Sequence, residues 1–337
     1  MIDSYKKFVW LGLLLFAGML LGTTPGLSQT CSTGSELSPT VRSSLESTAR
    51  QYFNMAAQGD VFNLKQNAIP AIANDFGGIE RAVVDNRAGL SGGQPTIRNS
   101  YVLDAPGTAP IPSAEFFCGV FGAQGQTNNS AGFRIPNLPP GKYAVVIMDV
   151  NGTAGPYMLT QVLQEVNGAW KLAGFYAKPT QIDGHNADWF VNQARAYKAK
   201  GQNHDAWFYF LQARELAAPV PFMSTLQLDR LYDEAQQVMP TDLPVNGPVD
   251  FTGPDGQTWK LTQVFTVVVN GKLNLVAKYQ APDISDTAKA LQGNIALMKA
   301  LVAKYPEYRE AFDAVVARAV APSGQDYGTL LAMKDIK

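Results

Sequence analysis

Cysteine and histidine are nearly missing from this 337-residue chain, which has two of each. Two thiols are too few for a structural zinc site built on thiolates. Ser-His-Asp catalysis needs a histidine held against an activated serine, and no Gly-x-Ser-x-Gly occurs. The nearest approach to a phosphate loop, "GPDGQTWK", lacks the Lys-Ser/Thr that would complete one. Charge is scarce as well: 16% of residues are Asp, Glu, Lys or Arg, and the formal net charge is −1. A nucleic-acid binder carries a basic face, so that class is disfavoured, and no run of like charges marks an interaction tail. No cofactor is expected.

What is present is apolar. The 46% hydrophobic content supports real cores in two or three folded domains and argues against disorder. At the N-terminus, Lys6 and Lys7 precede "FVWLGLLLFAGMLLG", an apolar run of 15 residues. Pro25 breaks any helix, and Gly26-Leu27-Ser28 places small residues where a signal peptidase reads them. The pattern predicts a signal peptide over 1–28 and a periplasmic or secreted protein with no stable membrane insertion after cleavage. The alternative is an uncleaved anchor, although the run falls short of the roughly 20 residues of a spanning helix. Ser28-Gln29-Thr30 does not suit a lipidated Cys31. In an oxidising compartment Cys31 and Cys118 have one possible connectivity, so a disulfide is expected. Two buried thiols are the alternative.

Along the chain, "PTVRSSLESTARQYFNMAAQ" (39–58) predicts a helix opened by Pro39 and ended by Gly59-Asp60, with Leu45, Ala49, Tyr52, Phe53 and Ala56 on one stripe. "LKQNAIPAIANDFGGIERAVVDN" has a helical pattern broken by Pro70 and Gly77-Gly78. "SYVLDA" and "AEFFCGVFG" predict strands, with a loop over 122–130. "FRIPNLPPGKYAVVIMDVNG" places Pro-Pro-Gly between two extended stretches. "YMLTQVLQEVNGAWKLAGFY" predicts a hairpin turning at Asn167-Gly168, with Leu163 opposite Leu172 and Leu159 opposite Tyr176.

"NADWFVNQARAYKAKGQNHDAWFYFLQARELAAP" repeats an aromatic pair and a Gln-Ala-Arg on either side of Gly201. Two helices, 187–200 and 204–218, put Phe190, Ala194 and Tyr197 against Ala206, Phe210 and Ala213. The hairpin has more aromatic surface than its own interface can bury, so its Trp207-Phe208 face is expected to dock on the N-terminal domain. Pro and Gly over 241–257 mark a linker. Beyond it come a hairpin turning at Asn270-Gly271, a helix capped by Ser285 or Asp286 with Ala288, Leu291, Ile295, Met298 and Val302 inward, and a second helix from Pro306 with Tyr308, Phe312, Val315, Val316 and Ala319 inward.

Residues 37–178, through "ARQYFNMAAQGD" and "LQEVNGAWKLAGFYAK", resemble the NTF2-like (SnoaL-like) superfamily. The resemblance implies helices packed into a curved antiparallel sheet around a pocket. The spacing of the helical pair is similar to one tetratricopeptide-type unit. "FRIPNLPPGKYAVVI" locally resembles transthyretin-like β-sandwich modules. The whole chain resembles secreted bacterial proteins with a tetratricopeptide-like insert, which supplies no activity.

The expected architecture is therefore α+β: an NTF2-like domain at 37–178, a helical hairpin at 179–240, a linker at 241–257, and a β-hairpin with two helices at 258–337. Asp149, in an apolar strand where burial would raise its pKa, is the candidate for an acid or base. An exposed strand-end carboxylate is the alternative. Phe117, Tyr143, Trp170 and Tyr176 are candidate pocket residues, or plain core. A metal held by Asp183, His185 and Asp188 is set aside in favour of Asn186 or Asp188 capping a helix. The reading is an exported, non-enzymatic binding or assembly protein whose partner, protein or small molecule, is unknown. An NTF2-like-pocket hydrolase or isomerase and a carbohydrate-binding β-sandwich are the alternatives.

Overall fold

The computed structural model describes residues 28–123 and 125–337. The signal-peptide reading therefore lies, Ser28 apart, outside the described residues. Strand β1 (Thr30–Thr33) leads into helix α1 (Pro39–Gln58). The Ser38 hydroxyl accepts from the Val41 amide, and Gly59 at φ 75° closes the helix, a left-handed position that suits glycine. Leu45, Ala49, Tyr52, Phe53 and Ala56 are buried, as their spacing required.

The next stretch is three helices and not one broken helix: α2 (Val61–Gln66), α3 (Pro70–Asn74) and α4 (Gly77–Leu90). Pro70 and Gly77-Gly78 open helices, because a first turn needs no N–H from proline. Six strands follow: β2 (Gln94–Ala105), β3 (Ile111–Gly122), β4 (Gly125–Leu138), β5 (Gly141–Gly152), β6 (Gly155–Val166) and β7 (Ala169–Pro179). The predicted loop over 122–130 is mostly strand, since β4 begins at Gly125 and pairs with β3 up to Gly122↔Gly125.

The central sheet runs β1-β2-β5-β6-β7, antiparallel throughout. Its middle strand β5 is buried on both faces, which explains the unbroken apolar run "YAVVIM". Ala144, Val146, Met148 and Val150 meet the core under α1, α2 and α4. Tyr143, Val145 and Ile147 face the opposite way, into a core shared with β3 and β4. The disulfide Cys31–Cys118 joins β1 to β3, so the expected pairing is present.

The β6–β7 hairpin turns at Asn167 and Gly168, both at positive φ, and Leu163 pairs with Leu172. A bulge between Val162 and Leu163 then shifts the register, and Leu159 faces Ala177 where Tyr176 was expected. An extra residue in one strand moves every later pair by one.

After the short ribbon β8 (Gln181–Ile182) and β9 (His185–Asn186) come α5 (Ala187–Ala199) and α6 (Asn203–Ala217). Asn186 caps α5, accepting from the Trp189 amide at 3.0 Å. Phe190, Ala194, Tyr197, Ala206, Phe210 and Ala213 are all buried, as the repeated pattern predicted. The β10 segment (Met223–Ser224) joins β4 as a third strand of the second sheet. A helix absent from the sequence reading, α7 (Leu226–Gln236), buries Leu228, Leu231 and Ala235.

The expected linker is partly strand: β11 (Val249–Thr252) pairs with β12 (Thr258–Val269), and Leu243 and Phe251 are buried. Alternating Val249 and Phe251 anchor it despite the flanking prolines and glycines. The turn at Asn270-Gly271 leads to β13 (Lys272–Gln280) as expected. Helix α8 (Thr287–Lys304), capped by Asp286, buries Ala290, Asn294, Leu297, Met298 and Leu301, while Leu291 is exposed. Met298 and Val302 of the predicted stripe are buried, whereas Ala288 and Leu291 are exposed and the inward place near the helix centre goes to Asn294. That side chain donates to the Tyr327 carbonyl and the Thr329 hydroxyl, each at 3.0 Å.

The second C-terminal helix is a correction. Only α9 (Tyr308–Ala311) is helical; β14 (Ala314–Val320) and β15 (Asp326–Ala332) follow, with a 3-10 turn at Met333–Asp335. Val315, Ala317 and Ala319 alternate inward, a period of two mistaken for a helical one. Strand β14 lies parallel to β13, an arrangement that requires a crossover such as α8.

The helical pair is also not docked where the sequence suggested. Phe208 packs on Tyr308 and Phe312, at ring distances of 6.3 and 5.7 Å, and the Tyr209 hydroxyl donates to the Ala311 carbonyl at 2.7 Å. The aromatic face meets the C-terminal unit and shares one core with it. Its partners lie in residues 308–312, the start of the stretch whose spacing predicts the second C-terminal helix.

Candidate functional site

Strand β1 covers only part of its neighbour. Its four residues pair with Tyr101–Asp104 of β2, which leaves Gln94–Ser100 without a strand on that side among the described residues. Such an edge offers backbone N–H and C=O groups to another chain. Pro95 lacks one N–H, and Arg50 donates to its carbonyl at 2.9 Å, so the far end is partly blunted. A bulge between Ile97 and Asn99 bends the strand within the remaining edge.

That edge forms a wall of a cleft of about 900 Å³. Arg42 and Glu46 of α1 form a second wall, and Pro219, Met223 and Leu228, on and before α7, form a third. Asn128 and Gln227 border both this cleft and a further hollow of about 530 Å³ along α5 and α7. The depression is therefore elongated.

The charges within it are unequal in their freedom. Glu36 is held by its own turn, accepting from the Thr33 amide at 2.6 Å and the Thr33 hydroxyl at 2.8 Å. Those bonds hold its carboxyl below the usual range, the backbone bond most strongly. Arg98 makes a bidentate pair with Asp149. Arg42 makes no ion pair among the described residues. Its Nε is buried without a partner, and its one hydrogen bond is a long 3.5 Å contact from Nη2 to the Leu37 carbonyl. A guanidinium offers five donors, and the protein engages this one only through that single long bond.

The residues singled out from sequence do not gather here. The Asp149 side chain is 43% exposed and engaged by Arg98, so the desolvation expected of it is absent. Tyr143 is buried between the two sheets and donates to the Pro139 carbonyl at 3.0 Å. Trp170 is buried on the opposite, helical face, where its carbonyl accepts from the Tyr52 hydroxyl at 2.8 Å. Phe117 is exposed on β3 beside Phe121, and Tyr176 packs edge-on against Phe222. None of these five borders the cleft. His185 stacks on Trp189 at 3.8 Å, and no cluster of three or more metal-ligating side chains occurs among the described residues.

Sequence reasoning missed Arg42 and the β2 edge. The only signal was an arginine at the fourth position of a first turn without acidic residues; pairing between strands distant in sequence, unlike that within a hairpin, has no local mark. Comparison with protein-family models, curated proteins and solved structures finds no match to this chain.

Proposed function

We propose that this is an exported, non-enzymatic binding protein that takes an extended, acidic polypeptide segment along the open edge of β2. The observation that carries this is the unpaired Gln94–Ser100 edge running beside Arg42, whose Nε is buried and unpartnered. A strand added to that edge gains main-chain hydrogen bonds, while Arg42 supplies a charge-assisted contact to a carboxylate. The elongated cleft suits a chain better than a compact ligand. The four helices against an antiparallel sheet support the NTF2-like reading of the N-terminal part, although the binding place is the sheet's edge and not the helix-filled interior. A hydrolase or isomerase reading would need Asp149 in a pocket, and Arg98 holds it elsewhere. A carbohydrate-binding sandwich would use the second sheet, whose inner face is filled by core.

Export rests on the basic-then-apolar N-terminus, and the disulfide suits an oxidising compartment. Among the described residues no helix is long and apolar enough to cross a membrane. N-terminal sequencing of protein recovered from a bacterial periplasm is expected to show a chain beginning near Gln29. A chain still beginning at Met1 contradicts the export reading.

For binding, a displayed random-peptide library selected on the mature protein is expected to yield acidic sequences. Arg42→Ala should weaken them at least tenfold, about 1.4 kcal/mol, with the melting temperature little changed because the guanidinium has no ion pair to lose. Selected peptides that bind Arg42→Ala equally well, or a library that yields none, would overturn the proposal.

A further inference from the structure

A carboxyl group lies without a partner in the seam between the helical pair and the C-terminal unit. Asp205, in the first turn of α6, is 0% exposed. Neither of its oxygens has a hydrogen-bond partner, and the buried Tyr308 hydroxyl also lacks one. The charges around it are mostly of its own sign. Glu307 and Glu310, at α9, repel an ionised Asp205. Lys200, at the end of α5, is the one attractive cation, and it is drawn to Glu310 at 3.5 Å.

The neighbours are committed to one another. His204 places Nε2 at 2.8 Å from Asp242 and Nδ1 at 3.9 Å from Glu307. The Tyr305 hydroxyl donates to the other Asp242 oxygen at 2.8 Å. Tyr197 of α5 and Tyr209 of α6 direct their hydroxyls to the Glu310 and Ala311 carbonyls. Arg309 faces away, toward the carbonyls of Met333 and Ile336.

We propose that Asp205 is a proton-controlled latch, which in its neutral form lets the helical pair seat on the C-terminal unit and in its ionised form loosens that seam. Burial, reinforced by Glu307 and Glu310, pushes its carboxyl up to about 7. In an opened seam the group returns to the ordinary aspartate range near 4. Closing therefore takes up a proton between those two values. The closed state is undisturbed at acid pH, loses ground as pH rises from about 4, and has lost the whole contribution once pH exceeds about 7. The same interface carries Phe208 on Tyr308 and Phe312, so the loosened region includes the inner ends of α6 and α9.

Amide hydrogen exchange on the full mature protein, corrected for intrinsic rates, tests this at pH 5.5 and 8.5. Protection over 203–212 and 305–313 should fall at least tenfold at the higher pH relative to β5, and Asp205→Asn should remove that difference. His204→Gln should leave it in place, which separates Asp205 from its neighbour. A seam with no selective change, or an Asp205→Asn variant that retains the change, would overturn the proposal. If Asp205→Asn does not fold, a ¹³C-carboxyl titration of the wild-type protein decides: a midpoint near 4 for Asp205 rules the latch out, and one near neutrality supports it.

Discussion

Replacing both Cys31 and Cys118 by serine is expected to lower the stability of the protein by about 4 to 5 kcal/mol in the loop-entropy picture. The two residues are 87 positions apart in sequence, and helices α1 to α4, strand β2 and most of β3 lie between them. Without the link, the unfolded chain regains the freedom of that long loop. The folded state loses as well. Strand β1 has four residues, pairs on one side only, and is followed by the turn that borders the cleft. Four residues of edge strand are too few to stay docked by pairing alone, so fraying at β1 should accompany the loss. Urea denaturation of the oxidised protein and the double serine variant measures the difference. A shift below about 1 kcal/mol would mean that the unfolded chain is already compact there or that the native bridge is strained.

The second large effect is expected at Phe208. Its ring is buried against Trp207 on its own helix and against Tyr308 and Phe312 of the C-terminal unit. Truncation to alanine leaves a cavity and removes the transfer free energy of the ring, together about 3 to 5 kcal/mol. Because one core spans the helical pair and the C-terminal sheet, the loss should appear as one earlier transition. Differential scanning calorimetry distinguishes the outcomes. A new low-temperature transition confined to α5–α6, with the remainder unmoved, would show that the helical pair folds independently of the unit it covers.

Much of the N-terminal architecture was legible because local rules govern it. Helix α1 was marked by its serine and proline at one end, glycine at the other and an apolar stripe between. The Asn-Gly turns at 167–168 and 270–271 were legible for a similar reason, since both residues sit at positive φ. The failures are long-range. The segment 306–320 carries apolar residues that fit a helix or a strand, and only its pairing with β13 and β15 selects the strand. Asn294 disguised the buried face of α8: its amide nitrogen donates to β15, at the Tyr327 carbonyl and the Thr329 hydroxyl, while its Oδ1 is buried without a partner. The candidate site was less legible still. Asp205 is an acidic residue in a first helical turn, a place the helix dipole ordinarily favours, and nothing in its local sequence sets it apart. Its exceptional position comes from Tyr308, Glu307 and Glu310, about 100 residues later. Arg42 is a site residue only because β1 stops at Thr33 and leaves β2 open.

The shared core also orders events during synthesis. The helical pair is translated well before the residues that cover it, and Phe208 and Tyr209 find Ala311 and Phe312 only after those have been made. Strand β14 then requires β15, and Arg309 fastens the turn at Met333–Ile336. Until residues 308–336 arrive, a row of aromatic side chains on α6 has no counterpart and stands open to solvent or to a holding chaperone. A nascent chain arrested before residue 305 should therefore be more prone to chaperone capture than one arrested before 187, although both contain the complete central sheet.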